Sequence, residues 1–369
     1  MMKVLVVFFL IFFISSCNRE FSKDLQMPMH FDEIRDNWNN REFENIVKEY
    51  NPVEVSDYLP IGHLKDGSVD YTEFVNRALK LNSSVIFPDF PILINHTGCK
   101  LKSNQNLIFR KESLLILSPN NKKAYAILDL KNIENVNIFN PSLQGDRFQH
   151  SGAGEWGMGI SIKSAKNILI SNPTIRDCWG DGIYVGTYNG GNSSQNIQIK
   201  NGVIDRNRRN GISVINIDGL NIQGTLIKNT YGIAPQSAIQ IEPNNNNDKL
   251  KNIKIKDVIT VDNKFAGIFI NTTRLQGAVD SIGIEIFDFK NYNSKFGIGY
   301  VSLDKISTKG LKGVLGIDGF VNTNSTQAFH SSKIANNDIV QIHIKVSDSV
   351  TLQSVSALES IENLRINTN

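Results

Sequence analysis

Short apolar stretches alternate with polar, turn-rich sequence along most of this chain, and the alternation keeps a regular interval. Gly159-Ile160, Gly182-Ile183, Gly211-Ile212, Ala238-Ile239, Gly267-Ile268 and Gly297-Ile298 recur at spacings of 23, 29, 27, 29 and 30 residues. Two residues after each isoleucine stands Ile162, Val185, Val214, Ile241, Ile270 or Tyr300. A period of two puts both positions on one face of a short strand. A second series runs in step, starting at Asn106, Asn135, Asn167, Asn196, Asn221, Asn252 and Gly283, every 25 to 32 residues. Each period therefore holds at least two short strands separated by turns.

Repeats of 20 to 50 residues define solenoids, propellers or arrays. No period contains an amphipathic helical stretch, which excludes helical repeats. A propeller blade needs about 40 residues and four strands. The pattern predicts an all-β chain, a right-handed parallel β-helix in which each strand pairs with its copy one coil away, at about 4.8 Å. Like residues then stack, which accounts for isoleucine columns and favours asparagine ladders. Before the first rung, Lys65–Ile94 predicts a helix followed by a strand ending in Phe87-Pro88. Asp70 and Glu73 are placed to cap that helix. Tyr71, Phe74, Val75, Ala78 and Leu79 form its apolar stripe. Such a cap covers the open end of a solenoid.

On these residues the chain resembles the pectate-lyase-like superfamily of right-handed β-helices, over roughly residues 60 to 300. The resemblance implies a polysaccharide as partner. It implies acid–base chemistry by carboxylates if the protein is a hydrolase. It implies calcium-binding aspartates with an arginine base if it is a lyase, and otherwise no cofactor. The match to those enzymes is incomplete. Asp181-Gly182-Ile183 resembles part of the polygalacturonase pattern, but the next-rung position is Asn210 and the expected histidine is missing.

The domain organisation expected is a leader over 1–16, a linker with a short helix over 17–60, a cap over 61–105, rungs over 106–301 and an irregular closing region over 302–369, with a closing strand near Ile339. The leader places one lysine before an apolar run that is short for a membrane span. It ends in Ile14-Ser15-Ser16-Cys17, which resembles a lipoprotein processing site. Acylation of Cys17 would hold the protein at a membrane of the cell envelope by lipid alone; cleavage near Ser16 and secretion is the alternative. Net charge of +3 over 369 residues does not suggest nucleic acid. Cys99 and Cys178 sit beside apolar strands, which predicts buried free thiols rather than a disulfide. No Cys or His spacing resembles a zinc site.

Inward columns of such a fold are core, so chemistry belongs to outward columns and turns. Two turns break the pattern, and the turn after them adds further charges. Gly145–Gly159 carries Asp146, Arg147, His150, Glu155 and Trp156. The next carries Arg176, Asp177, Trp179 and Asp181, and the third Asp205, Arg206, Arg208 and Arg209. Asp177 and Arg206 share one offset from their Gly-Ile pairs, and Gly180 and Arg209 another. Tyr184, Ser213 and Gln240 share an outward column, with Glu242 two residues further along. Acids, arginines and aromatic rings together suit a sugar chain: rings pack on sugar C–H faces, arginines grip carboxylates, and carboxylates move protons. The catalytic candidates are Asp181, Asp177, Glu155 and Asp205; the binding candidates are Trp156, Trp179, Tyr184, Arg206, Arg209, Gln240 and Glu242. For each aspartate the alternative is a turn cap, for the arginines a solvated basic turn, and for the tryptophans packing under a loop. A lone loop histidine such as His150 reads as exposed. Asp181 is expected to share a groove with Asp177, Glu155 and the arginine turn. The function expected is cleavage of a polysaccharide, with hydrolysis slightly preferred over elimination; a non-catalytic glycan-binding or structural surface protein is the rival.

Replacing Cys17 with Ser should release the protein from the membrane fraction or block its processing. A variant that fractionates with membranes as the parent does would refute lipid anchoring.

Overall fold

The computed structural model describes residues 40–275, 277–302, 311–332, 339–346 and 364–367. The leader and Cys17 lie outside the described residues. All strand pairing between the described strands is parallel, and each coil visits three faces. Lys166–Ser171 lies on what we call the A face, Thr174–Arg176 on the B face and Ile183–Gly186 on the C face. Each strand pairs with its equivalent in the coils before and after. The C face has nine strands among the described residues.

The Gly-Ile column holds without a slip. Ile160, Ile183, Ile212, Ile239, Ile268 and Ile298 are consecutive partners, and every one is fully buried. The partners two residues on, Ile162 through Tyr300, are equally buried. Burying one such side chain contributes about 1.5–3 kcal/mol, and the column repeats that gain at every coil.

The asparagine series needs two corrections of register. Asn106 pairs with Asn137, not Asn135, and Asn221 falls beside Gln198 and Lys254 rather than beside Asn196 and Asn252. The true column is Asn104, Asn135, Asn167, Asn196, Gly219 and Asn252. Its first four side chains hydrogen-bond in series at 2.9, 2.9 and 3.1 Å. Both slips are of two residues, so the inward face is unchanged and apolarity alone could not detect them.

Asparagine is abundant because the corners demand left-handed backbone. Asn140, Asn172, Asn201, Asp257 and Asp288 turn the A face into the B face with φ between 51° and 55°. Asp177, Arg206, Asn229, Asp262, Asn293 and Asn324 do the same before the C face. Asn and Asp tolerate this region; arginine rarely does. Arg206 is held there by the carboxylate below it, as described next.

Parallel pairing reaches beyond the Gly-Ile repeat at both ends. It begins at Val53–Glu54 against Ser84–Phe87 and continues through Ile339–Val346 to Leu364–Asn367. Helix α1, Asn40–Tyr50, precedes the first strand, and α2, Thr72–Leu81, lies in the cap. α2 buries Val75, Ala78 and Leu79 in the core. Asp70 accepts from the Thr72 amide at 2.9 Å. Cys99 and Cys178 are free and buried, and burial pushes the Cys99 thiol up to about 12.

Ile212→Asp or Ile239→Asp should cost several kcal/mol by inserting a carboxylate between fully buried isoleucines. A soluble variant with unchanged melting temperature would contradict the column.

Candidate functional site

The outward column of the C face runs through Lys100, Asp129, Ser161, Tyr184, Ser213, Gln240, Phe269, Gly299 and His330. Over its first coils this column floors a groove of about 490 Å³. Lys100, Asp129, Ser161, Lys163 and Tyr184 lie along the floor, and Tyr125, Trp156 and Arg209 also line it. Trp156 is 54% exposed. Glycine shapes the floor: a Cβ on Gly186 would meet the Tyr184 ring at 2.8 Å, and one on Gly157 would meet Tyr125 at 2.4 Å.

Two floor groups are unspent. The Ser161 hydroxyl is buried with no hydrogen-bond partner among the described residues. Lys163 forms no ion pair among the described residues, and its ammonium lies 5.3 Å from the Tyr184 ring centre. Burial pulls the Lys163 amine below the usual lysine range, helped by Lys131 and Lys100 and opposed by Asp129. Burial pushes the Tyr184 phenol up to about 12, with Asp181 adding to the effect. Asp129 is already paired with Lys100 at 2.9 Å.

The predicted residues divide among five settings. Trp156, Tyr184 and Arg209 meet at the groove. Asp181 sits behind Arg209 with a fully buried side chain, receiving Arg209 Nη1 at 3.2 and 3.1 Å, while Arg209 Nε reaches Glu155 at 3.3 Å. Burial pushes the Asp181 carboxyl above the ordinary carboxylate range; Arg209, Ser213 and the Asn210 amide pull the other way. Asp177, Asp205 and Arg206 form a separate knot at the corner between the B and C faces. Arg206 donates to both Asp177 oxygens at 2.8 and 2.9 Å and to Asp205 at 2.7 Å. Gln240 and Glu242 join a polar ladder outside the groove lining, with Gln240 Nε2 3.1 Å from Glu242 and Asn271 donating to Glu242 at 3.1 Å. The groove expected to join Asp181, Asp177, Glu155 and the arginine turn is therefore not one cleft. Two offsets do hold: Asp177 and Arg206 pair across coils, and the Arg209 amide donates to the Gly180 carbonyl.

Trp179 is in a stack rather than a cleft. The Arg208 guanidinium lies 3.4 Å from the Trp179 ring centre, and the His150 ring packs on Trp179 at 4.2 Å. His150, expected at the surface, has a fully buried side chain whose Nδ1 is 2.8 Å from Asp146 and 3.2 Å from the Tyr125 hydroxyl. Tyr125 donates to Asp146 at 2.5 Å. This stack supports the Gly145–Gly159 loop from beneath and sets the Tyr125 edge of the groove. Ser161 and Lys163 were missed in the sequence, although they stand one and three residues after Ile160, as Tyr184 stands one after Ile183. Extending the Tyr184 column back by one coil would have found Ser161.

Asp177, Asp181 and Asp205 do not suit a calcium ion, because each is engaged by an arginine and they do not converge. Among the described residues no group of three or more His, Cys, Asp or Glu is placed to hold a metal.

No protein-family model matches the chain. Two Bacillus subtilis (strain 168) proteins are similar over part of their length: the SPbeta prophage-derived protein YorA, 30% identical over 162 residues, and YclG, 29% identical over 210 residues. The matches cover 39% and 48% of this chain but only 28% and 36% of those proteins. Among solved structures, PfbA, a surface adhesin of Streptococcus pneumoniae, is similar with a TM-score of 0.54 at 14% identity, over 86% of this chain and 79% of that one. The Yersinia enterocolitica family 28 exopolygalacturonase gives 0.52 at 10% identity, over 80% and 70%. The GH87 α-1,3-glucanase of Streptomyces thermodiastaticus gives 0.53 at 14%, over 80% and 58%. At these identities the likeness is one of fold: the chain shares the right-handed parallel β-helix of these proteins.

Arg209→Met would leave the buried Asp181 carboxylate without its guanidinium. Stability at neutral pH should fall by about 3–5 kcal/mol. A carboxyl whose folded value is raised stabilises the fold when protonated, so stability should recover as pH falls toward the unfolded value near 3.9. Adding Asp181→Asn should recover much of the loss at neutral pH. Denaturant midpoints unchanged by Arg209→Met would show that the pair carries no structural load.

Proposed function

We propose that the protein binds an acidic polysaccharide in the C-face groove and cleaves it by elimination, held at the cell envelope through Cys17. One observation carries this reading: the floor beside an exposed tryptophan leaves a buried hydroxyl, Ser161, and a half-buried amine, Lys163, without polar partners among the described residues. Buried polar groups are normally satisfied, and sugar hydroxyls would satisfy these two. Arg209 Nη2 also has no partner among the described residues and is available to a substrate carboxylate.

Elimination is favoured over hydrolysis because the carboxylates are spent. Hydrolysis needs two available carboxyl groups flanking the bond, yet Asp181, Asp177 and Asp205 are held by arginines and Asp129 by Lys100. Lys163, nearer neutrality than an ordinary lysine, takes the proton beside the uronate carboxylate. The electron pair forms the sugar C=C bond as the glycosidic C–O bond breaks. Tyr184, kept protonated by burial, supplies the proton to the leaving oxygen. The adhesin among the structural neighbours keeps a non-catalytic binder as the second reading.

The test is incubation with acidic polysaccharides, reading unsaturated product by ultraviolet absorbance. Lys163→Arg should lower the rate by about 10²-fold or more while retention in polysaccharide gels persists. The parent rate should rise with pH and level off below the ordinary lysine value of about 10.4. New reducing ends without unsaturation would refute elimination in favour of hydrolysis. Retention with no product would leave binding alone.

A further inference from the structure

Phe148 and Tyr231 are 64% and 44% exposed, at the corner where the B face turns into the C face. Neither lines the groove. Isolated exposed aromatic residues are ordinary, but these two share one support. The guanidinium carbon of Arg147 lies 5.0 Å from the Phe148 ring centre and 3.9 Å from that of Tyr231, so the ring centres are no more than 8.9 Å apart. Arg147 is itself buried and donates to the backbone carbonyls of Arg206 and, at 2.7 Å, Tyr231. The clamp therefore ties the Gly145–Gly159 loop to two later coils. Gly232 follows Tyr231 with φ of 136°, and a Cβ there would meet Arg208 Cγ at 2.5 Å. The Tyr231 backbone is fixed on both sides.

The carboxylates at this corner are already matched, and Arg147, which forms no ion pair among the described residues, is buried. Arg206 is spent on Asp177 and Asp205, and Arg176 reaches Gln144 at 2.9 Å and Asp177 at 3.9 Å. The corner thus presents two supported rings and no free carboxylate from Asp177 or Asp205. A ligand for it needs apolar C–H faces at a spacing the rings can span, and no net charge. Rings fixed before binding lose little conformational freedom when a ligand stacks on them.

We propose that Phe148 and Tyr231 form a second carbohydrate seat, taking the C–H faces of a neutral polysaccharide. It is separate from the groove and does not depend on the groove being catalytic.

The experiment is affinity electrophoresis of the intact protein through gels containing dextran, galactomannan or β-glucan, each a soluble neutral polymer. The parent should be retarded in at least one. Phe148→Ala, and separately Tyr231→Leu, should weaken the apparent Kd about five- to tenfold, the scale of one lost aromatic contact. Leu at 231 keeps a side chain over Arg147, and equal melting temperatures would establish that the variants are folded. Trp156→Ala should leave this retardation unchanged. The proposal is overturned if no neutral gel retards the parent, if retardation survives both substitutions, or if Trp156→Ala abolishes it equally. The last result would assign neutral binding to the groove.

Discussion

Everything here depends on parallel strands stacking in register, one coil above the next. A residue is surrounded by its own equivalents, so an inward column must be apolar along its whole length. The isoleucine column from Ile160 to Ile298 meets that demand at every coil. The corners face a different demand, left-handed backbone at the same offset each time, and Asn and Asp meet it. What remains free to vary is the outward column of each face and the length of the turns. The groove uses both, with its floor from an outward column and one wall from the long Gly145–Gly159 turn.

Stacking also decides the fate of the charges. Acids and arginines in neighbouring turns lie about one strand spacing apart, close enough to pair, and burial makes an unpaired charge costly. Asp177 with Arg206 and Asp181 with Arg209 are products of that proximity. A cluster of acids and arginines on adjacent coils therefore tends to neutralise itself. The same repetition leaves Lys163 beside another lysine, Lys131, in the coil before, where neighbours of like sign offer no pairing. Reactivity in this architecture is better sought where a column repeats a sign than where it alternates.

This distinction explains how far the sequence could be read. The fold was legible because the Gly-Ile pairs announce an inward column, and a column error would have inverted burial at several coils. The asparagine register was less legible because a slip of two residues preserves the apolar face; only the side-chain ladder through Asn104, Asn135, Asn167 and Asn196 resolves it. Of the candidate residues, Tyr184, Trp156 and Arg209 line the groove; they are conspicuous residue types near conspicuous turns. Ser161 and Lys163 are ordinary residue types in an ordinary strand, and only their place in the column marks them. His150 misled because loop position suggested exposure, whereas a long turn must bury something of its own to hold its shape. His150, against Asp146 and Trp179, is part of what this one buries.

The comparisons fit the same physical account. An adhesin and two polysaccharide hydrolases share this scaffold at 10–14% identity with the chain. Inward columns tolerate any sequence that stays apolar and of suitable volume, so the fold persists while identity falls. Function must then turn on the few outward positions that stacking does not dictate. In this chain those positions place a hydroxyl, an amine and a phenol on one floor, with the nearby carboxylates already matched to cations. A ligand that enters the groove can meet those groups without breaking an ion pair that the fold requires.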